Sequence, residues 1–478
     1  MSQVLANAAS ESDVVIIGSG PAGYVCAIRL AQLGKKVTVI EKALVGGVCL
    51  NVGCIPSKAL IHAGTTFEKI AHSDAMGVTV TGAKLDFKKL MSWKGEVVQK
   101  LTSGVSQLLK ANGCTVILGD AKFLSANEIS IQSENSQKTI RFKTAVIATG
   151  SRPAQIPGFE IDQKLVLDST GGLSQEAIPG TLLCVGGGYI GLELGTFYSK
   201  VGTKVTIVEA GPQILGIIDP DLVKVVHKGL VKRGVEILTS TTVKSIKKQV
   251  NHVEVTFGSS GGEKKQNFDK VLVTIGRTPN TDALDLSKAG VKVDQKGFIP
   301  TSLTRQTSVS NIYAIGDAAG QPLLAHKGSK EGMVAAEAIA GLKTIYDVKA
   351  MPAVIFTDPE IASVGLSEQE AKDKGLSPNI AIFPFAANGR ALSVGEPDGM
   401  VKLISDEKTG TLLGCHIVGV DASNLIAEAT LAIEMGANVE DLALTVHAHP
   451  TLPEALMEAA ELALGHPIHI FKPKRPSA

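Results

Sequence analysis

The sequence predicts an α/β protein, with two Rossmann-like dinucleotide-binding units followed by a C-terminal α+β domain. Three observations carry that reading. The segments "VVIIGSGPAGYVCAIRLAQLGKKVTVIEK" and "LLCVGGGYIGLELGTFYSKVGTKVTIVEA" superpose without a gap. Gly18, Gly20, Gly23, Gly34 and Glu41 thereby recur at a constant offset as Gly186, Gly188, Gly191, Gly202 and Glu209. Each copy runs as an apolar strand, a G-x-G-x-x-G turn, a helical stretch and a second apolar strand ending in an acid. After residue 350, "MPAVIFTDPEIASVGLSEQEA" opens a mixed region of strands and amphipathic helices with no third glycine fingerprint.

Near-continuous apolar strands belong to a parallel sheet covered on both faces. The first glycine permits the sharp turn from strand to helix, the second lets backbone approach a pyrophosphate, and the third allows close helix packing. The phosphate then sits on a helix N-terminus. Glu41 and Glu209 end their strands where a carboxylate can accept hydrogen bonds from a ribose diol. One such fingerprint is a common turn; two in one register imply two bound adenine dinucleotides. Glu209 favours NAD over NADP, because it would repel a 2′-phosphate and "VEAGPQI" supplies no arginine. The N-terminal copy is the better FAD candidate, because a cysteine pair follows it closely and a flavin there would lie near the thiols.

"KTAVIATGSRP" (143–153) and "KVLVTIGRTPN" (270–280) read as short buried strands ending in glycine turns, one closing each nucleotide unit. "NIYAIGDAAG" (311–320) is a further strand running into Gly316-Asp317. That acid can meet the hydroxylated linker of a flavin or simply form the turn. The expected division is 1–150 and 281–350 for the two parts of the FAD unit, 151–280 for the NAD unit, and 351–478 for the C-terminal domain.

A length of 478 residues supports two to four domains. Lys+Arg 47 against Asp+Glu 46 leaves no basic excess and argues against a nucleic-acid or anionic-membrane surface. No apolar run reaches the ~20 residues of a membrane span. "MSQVLANAASESDVV" has neither a basic, apolar leader pattern nor an Arg-rich amphipathic one, and reads as a short disordered arm on a cytoplasmic protein. Six cysteines are too few and scattered for a disulfide scaffold. Cys26, Cys114, Cys184 and Cys415 read as small buried hydrophobes.

Cys49 and Cys54, in "GGVCLNVGCIPSKAL", form the one pair. On a regular helix they would stand about 7.5 Å apart along the axis, whereas a disulfide tolerates Cα separations up to roughly 7 Å. Either they never bond, or the backbone departs from a helix between them. Gly46-Gly47 and Gly53 make that departure available. Pro56 suits the first turn of a helix through "SKALIHAG", so Cys54 is expected at a helix N-terminus, where the dipole favours thiolate. A structural disulfide suits a reducing compartment poorly, and a zinc site lacks two further ligands. No metal is therefore expected, and a redox-active dithiol beside a flavin is the reading that remains strongest.

In "LTVHAHPTLPEAL" (444–456), Pro450 pushes His449 towards an extended conformation. Thr451-x-x-Glu454 has capping-box spacing. By residues alone, His447 and His449 are strand-end histidines or a metal pair.

The cysteine segment resembles the active-site motif of the pyridine nucleotide–disulfide oxidoreductases. The resemblance extends through "ATGSRP", the second fingerprint, "GRTPN", "YAIGDAA" and "HAHPTLPEA", in the family's order and over nearly the whole chain. It is closest to the members that oxidise protein-bound dihydrolipoamide and reduce NAD⁺. The resemblance implies that Cys49 and Cys54 form a redox-active disulfide, that His449 is the acid–base residue, and that Glu454 orients its imidazole. It also implies that the C-terminal domain is a dimerisation domain whose "HAHPT" segment completes the neighbouring subunit's active site, so that the protein is a homodimer. Lys58, Ala121, Thr149, Gly150, Asp317 and Ala325 carry over as FAD contacts beside Gly18, Gly20, Gly23 and Glu41. Ile190, Glu193, Val243 and Gly276 carry over as NAD contacts beside Gly186, Gly188, Gly191 and Glu209, with Lys58 paired to Glu193. Val48 stands where many members carry Thr, and Tyr189 where some carry an aromatic gate over the flavin. His447 has no assigned role.

The implied partners are the lipoyl-bearing acyltransferase of 2-oxoacid dehydrogenase complexes or the H-protein of glycine cleavage, since the chain has no lipoyl domain of its own. Rival readings are glutathione-, trypanothione- or mercuric-reductase-like enzymes, or a flavoprotein docking or redox-sensor subunit. Glu209 argues against the NADP-dependent enzymes. The lack of an N-terminal metal-binding domain and of a C-terminal cysteine pair argues against a mercuric reductase. A complete cysteine–histidine relay argues against a docking subunit.

Overall fold

The computed structural model describes residues 10–134 and 136–471. Residues 1–9 of the expected N-terminal arm lie outside the described residues. The rest of that stretch is not an arm: Ser10–Ile17 is a strand, and its polar start is already in register, Ser10 opposite Ile140 and Ser12 opposite Phe142.

Ser10–Ile17 lies between Val37–Glu41 and Ser136–Ile147, parallel to both, with Thr115–Leu118 beyond Val37–Glu41. All five residues of Val37–Glu41 are buried, the two-sided cover that an unbroken apolar run demands. The second unit repeats this order. Thr181–Val185 lies between Lys204–Val208 and Lys270–Val273, with Glu236–Leu238 outermost. Each sheet then gains one strand from outside its own repeat: Ile312–Ala314 beside Ser136–Ile147, and Val166–Leu167 beside Lys270–Val273.

Both units also carry an antiparallel three-stranded meander that the fingerprints do not announce. In the first, Asp120–Ser125 and Glu128–Ser133 lead into the long strand Ser136–Ile147. Its first half pairs antiparallel with Glu128–Ser133, and its second half pairs parallel with Ser10–Ile17. In the second, Thr242–Lys248, Val253–Ser259 and Gly262–Phe268 form a separate sheet. The chain breaks at Asp269, whose carboxylate accepts the Thr181 N–H at 2.9 Å while its own N–H donates to Thr181 Oγ1 at 2.8 Å. Between the units, Ser151–Pro153 and Arg277–Pro279 cross as an antiparallel ribbon.

The C-terminal region is α+β. Its strands run in the order Ala353–Ile355, Glu360–Gly365, Leu412–Gly419, Met400–Asp406, Pro378–Pro384, all antiparallel. Phe383, Leu403 and Ile417 share one core with Leu425 and Ile426 of the helix Ala422–Met435 and with Leu456 and Ala459 of the helix Glu454–Leu464.

The helix Cys54–Ala71 packs on Tyr189–Lys200 of the second unit. Gly64 permits the approach, since a Cβ there would stand 3.1 Å from the Phe197 ring. At the far end of this contact the Lys200 side chain is fully buried. Its Nζ donates to Thr65 Oγ1 at 2.8 Å and pairs with Glu68 and with Asp358 of the C-terminal domain. Arg233 closes the cluster at 2.8 Å from both acids. A buried cation is tolerable only when it is paired in this way, so all three regions are locked around the helix that begins at Cys54. Among the described residues, no helix is long and apolar enough to cross a membrane.

Candidate active site

Both glycine turns have the geometry their spacing predicts. Gly18 and Gly186 have φ near +100°, and a Cβ on either would strike the backbone oxygen of Ala148 or Thr274 at 2.3 or 2.7 Å. A Cβ on Gly23 or Gly191 would meet the carbonyl of Gly18 or Gly186 at 2.0 or 2.5 Å. The middle glycines differ. Gly20 and Gly188 have ordinary φ of −68° and −77°. A Cβ on Gly20 would find its nearest neighbour at 3.9 Å, and one on Gly188 none within 4 Å. No protein atom needs these two positions bare, and both line cavities. They fit a ligand backbone, as a dinucleotide pyrophosphate requires. Gly191→Ala should therefore lower stability by about 1–3 kcal/mol through overpacking. Gly188→Ala should melt like the wild type yet bind NADH more weakly, and thermal melts with NADH titration separate the two.

The terminal acids hold their loops' backbone in the same way, and Glu41 also accepts the Ser19 hydroxyl. Glu41 accepts the Ser19 N–H and the Ala43 N–H, each at 2.9 Å. Glu209 accepts the equivalent Gly187 and Gly211 N–H groups, each at 2.7 Å. Each carboxylate thus braces its own glycine loop while lining its cavity.

The backbone does depart from a helix between the cysteines. A short helix, Gly47–Val52, ends at Gly53 with φ −141° and ψ −111°, and a new helix begins at Cys54. Cys49 and Cys54 are free thiols in contact. The Cys49 S–H hydrogen bond to Cys54 brings the Cys54 thiol down to about 7 against burial, with help from the Lys58 cation. The same hydrogen bond, with burial, pushes Cys49 far up. The pair therefore loses one proton readily and holds the other. Cys26, Cys114, Cys184 and Cys415 are buried, as expected, and burial raises each thiol. In the reduced protein, iodoacetamide labelling of Cys54 should rise with a midpoint near pH 7. In Cys49→Ala, which lacks the donor, that midpoint should move upward; peptide mass spectrometry across a pH series reads both.

A cavity of about 1210 Å³ runs from Gly20 and Glu41 to Cys49, Cys54 and Lys58. Ala121, Thr149, Gly150, Asp317 and Ala325 line it. Its size, its glycine turn and the dithiol at one end fit a flavin dinucleotide. Lys58 Nζ pairs with Glu193 Oε2 at 2.7 Å, and Glu193 Oε1 accepts the Phe356 N–H at 2.9 Å. Ile190 and Glu193, expected with NAD, line this large cavity beside Tyr189. They sit in the opening turns of the helix Tyr189–Lys200, which starts directly after the second glycine loop. Asp317 accepts a hydrogen bond from Ser151 Oγ at 2.5 Å, and Arg277 donates to Ser151 Oγ at 2.7 Å. Arg277 escaped the sequence reading although "GRTPN" contains it, because spacing gives no hint of what an arginine after a glycine turn will reach.

A second cavity, of about 500 Å³, is lined by Gly187, Gly188 and Glu209. Val243 and Gly276 do not line it, nor do Gly186 and Gly191, which shape the turn behind it.

His449 Nδ1 lies 2.8 Å from Glu454 Oε1, and Glu454 Oε2 accepts the Thr451 N–H at 2.7 Å. Burial works against the Glu454 carboxylate, yet the Thr451 N–H and His449 together hold its pKa below the usual range. Only half a capping box forms. Thr451 Oγ1 bonds the Ala448 carbonyl, and the helix starts at Glu454 itself, which leaves the carboxylate free for His449. His447 is structural: its side chain is buried, with Nε2 2.8 Å from Glu428 Oε1 and Nδ1 2.8 Å from the Thr445 carbonyl. The His449 side chain is 78% exposed and does not line the large cavity, so one chain does not bring it to its own cysteines. Among the described residues, no cluster of His, Cys, Asp or Glu has metal-binding geometry.

Models of the pyridine nucleotide-disulphide oxidoreductase family and of that family's dimerisation domain match residues 12–332 and 351–460. The chain is 51% identical over 463 residues to dihydrolipoyl dehydrogenase of Bacillus subtilis, covering 97% of this chain and 98% of that one. It is 50% identical to the enzyme of the same name from Geobacillus stearothermophilus, covering 98% and 99%, and 44% identical to that from Halobacterium salinarum, again 98% and 99%. Among solved structures, LpdA from Mycobacterium tuberculosis superposes with a TM-score of 0.88 at 25% identity, over 95% of this chain and 99% of that one. The HOCl-induced flavoprotein disulfide reductase RclA from Escherichia coli gives 0.86 at 29% for its Cu(II) complex, with the same coverage.

Proposed function

The chain belongs to the pyridine nucleotide-disulphide oxidoreductase family, and from that premise we propose that it oxidises protein-bound dihydrolipoamide and reduces NAD⁺, using FAD, as a homodimer. The observation that carries the reading is the dithiol at the end of the FAD-sized cavity, with Cys54 opening a helix and Lys58 beside it.

His449 of the partner subunit takes the proton from the first substrate thiol, because even a free cysteine thiol, with a pKa of ~8.5, is only a few per cent thiolate near neutrality. That thiolate attacks Cys49 Sγ of the oxidised pair; the Cys49–Cys54 bond breaks and Cys54 leaves as thiolate. The second substrate thiol, deprotonated in turn, attacks the substrate sulfur of the mixed disulfide, closing the lipoyl ring and releasing Cys49 to take up a proton. Glu454 fixes the imidazole by accepting the hydrogen bond from Nδ1–H, which leaves the Nε2 lone pair free to take the substrate proton. The Cys49 S–H, the Lys58 cation and the helix N-terminus hold the charge on Cys54. FAD bound in the large cavity supplies the two-electron acceptor for this dithiol and the hydride for NAD⁺.

Gly18, Gly20, Gly23, Glu41, Ala121, Thr149, Gly150, Asp317 and Ala325 hold FAD, while Gly186, Gly188, Gly191 and Glu209 hold NAD. Ile190 and Glu193 lie where the two sites converge, and Val243 and Gly276 support the NAD side. The domain divisions fall at 150, 280 and 350, the first two at the crossing ribbon. A lipoyl-bearing acyltransferase or H-protein delivers the substrate, which makes the chain the dehydrogenase component of such a complex. Rates with lipoamide, glutathione disulfide, trypanothione disulfide and Hg²⁺, each with NADH and NADPH, test this. Lipoamide with NADH should lead by at least about 10²-fold; a lead for glutathione disulfide with NADPH would overturn the proposal.

A further inference from the structure

The second cavity is not built by the second unit alone. Ser367 and Gln369, at the start of the helix Glu368–Asp373 in the C-terminal domain, line it opposite Gly188 and Glu209. Between them stands the segment 211–220, pinned to the glycine loop by the Leu215 N–H, which donates to the Gly187 carbonyl at 2.9 Å. From this segment Ile217 projects almost wholly exposed at the cavity edge.

One buried cation joins the two walls. Lys402, on the strand Met400–Asp406, has a side chain only 4% exposed. Its Nζ lies 2.9 Å from Asp219 and 2.9 Å from Asp221 of the second unit, and 3.3 Å from Glu368. An ammonium this deep is tolerable only while its carboxylates surround it. Parting the two walls would strand the charge, so the cluster resists opening of the cavity. Ser367 is itself fixed, its hydroxyl accepting the Glu370 N–H at 3.2 Å. The Gln369 amide donates to Asp373 Oδ1 at 2.8 Å, which leaves its carbonyl oxygen as an acceptor for the amino group of a purine, and Ile217 offers an apolar flank for the purine face.

We infer that the C-terminal domain forms the outer wall of the adenosine site, with Gln369 as a specificity contact and Lys402 as the residue that positions that wall. The inference rests on the assignment of this cavity to NAD. Lys402 acts through Glu368, Asp219 and Asp221, without touching the dinucleotide.

The test uses the intact FAD-loaded dimer, with ADP-ribose as a competitive probe of the adenosine half. Lys402→Gln and Gln369→Ala should each raise KM for NAD⁺ and Ki for ADP-ribose together, by about 10-fold for Lys402→Gln. Both should leave kcat at saturating NAD⁺ and the rate of protein reduction by dihydrolipoamide unchanged, and Lys402→Arg should restore most of the affinity. If Lys402→Gln fails to fold, Gln369→Ala, a surface change, decides the matter alone. Glu209→Ala is the control for the site. If it weakens ADP-ribose while Gln369→Ala and Lys402→Gln do not, the wall inference is overturned and the NAD site stands. If Glu209→Ala also leaves ADP-ribose untouched, the cavity is not the NAD site and both readings fall.

Discussion

Cys54→Ser should lower dihydrolipoamide-linked NAD⁺ reduction by about 10³-fold or more, because the hydroxyl can neither close a disulfide nor leave as a stable anion. The fold should tolerate the change. Cys54 opens its helix with the side chain facing the cavity, and the cap there is made by backbone: the Ser57 N–H bonds the Gly53 carbonyl at 3.1 Å. Cys49→Ser should be equally inactive for a different reason. It keeps a thiol beside the cavity but loses the sulfur that substrate attacks. Serine can still donate a hydrogen bond, so Cys54 should keep a depressed labelling midpoint in Cys49→Ser and lose it in Cys49→Ala. Steady-state rates show the shared loss, and the labelling curves show the difference. Wild-type turnover in Cys54→Ser would end the dithiol relay.

His449→Gln should cost about 10²–10⁴-fold in the same reaction, the usual worth of a positioned acid–base group. Glutamine can keep a hydrogen bond to Glu454 but cannot take a proton and return it. The loss should shrink as pH rises past the ~8.5 of a free cysteine thiol, since a growing share of the substrate then ionises without help. Reduction of the protein by NADH, which needs no proton from substrate thiols, should be nearly unaffected. Because His449 lies away from its own cysteines, mixed dimers of His449→Gln and Cys54→Ser subunits provide a second readout. They should recover about one of two active sites, the one that pairs an intact histidine with an intact dithiol. Mixed dimers as inactive as both parents would refute sharing across the interface.

Much of this architecture is legible because its signals are local. A turn that needs positive φ at Gly18 and Gly186, or bare backbone at Gly23 and Gly191, leaves its mark within a few residues, and repetition makes that mark specific. The break at Gly53 and the helix start at Cys54 follow equally from glycine and proline placement. The Lys58–Glu193 pair is different: 135 residues separate its partners, and the family resemblance, not spacing, pointed to it. The resemblance likewise pointed to Glu454, whose capping-box spacing gives a half-made cap, whereas neither spacing nor resemblance pointed to Arg277, which meets Asp317 through Ser151. His447 and His449 look alike in "HAHPT", yet one is buried against Glu428 and the other stands exposed on Glu454.

By itself, then, the sequence established two nucleotide units in one register, a C-terminal domain of another texture, and a paired thiol at a helix start. Each is encoded in short stretches, where backbone conformation and covalent spacing dominate. Only the tertiary structure decided that Ile190 and Glu193 face the flavin-sized cavity, that Lys200 and Lys402 are buried cations joining domains, and that the C-terminal domain walls the second cavity. The reason is physical: a charge costs little in water and much when buried, and its burial depends on elements brought together from far along the chain.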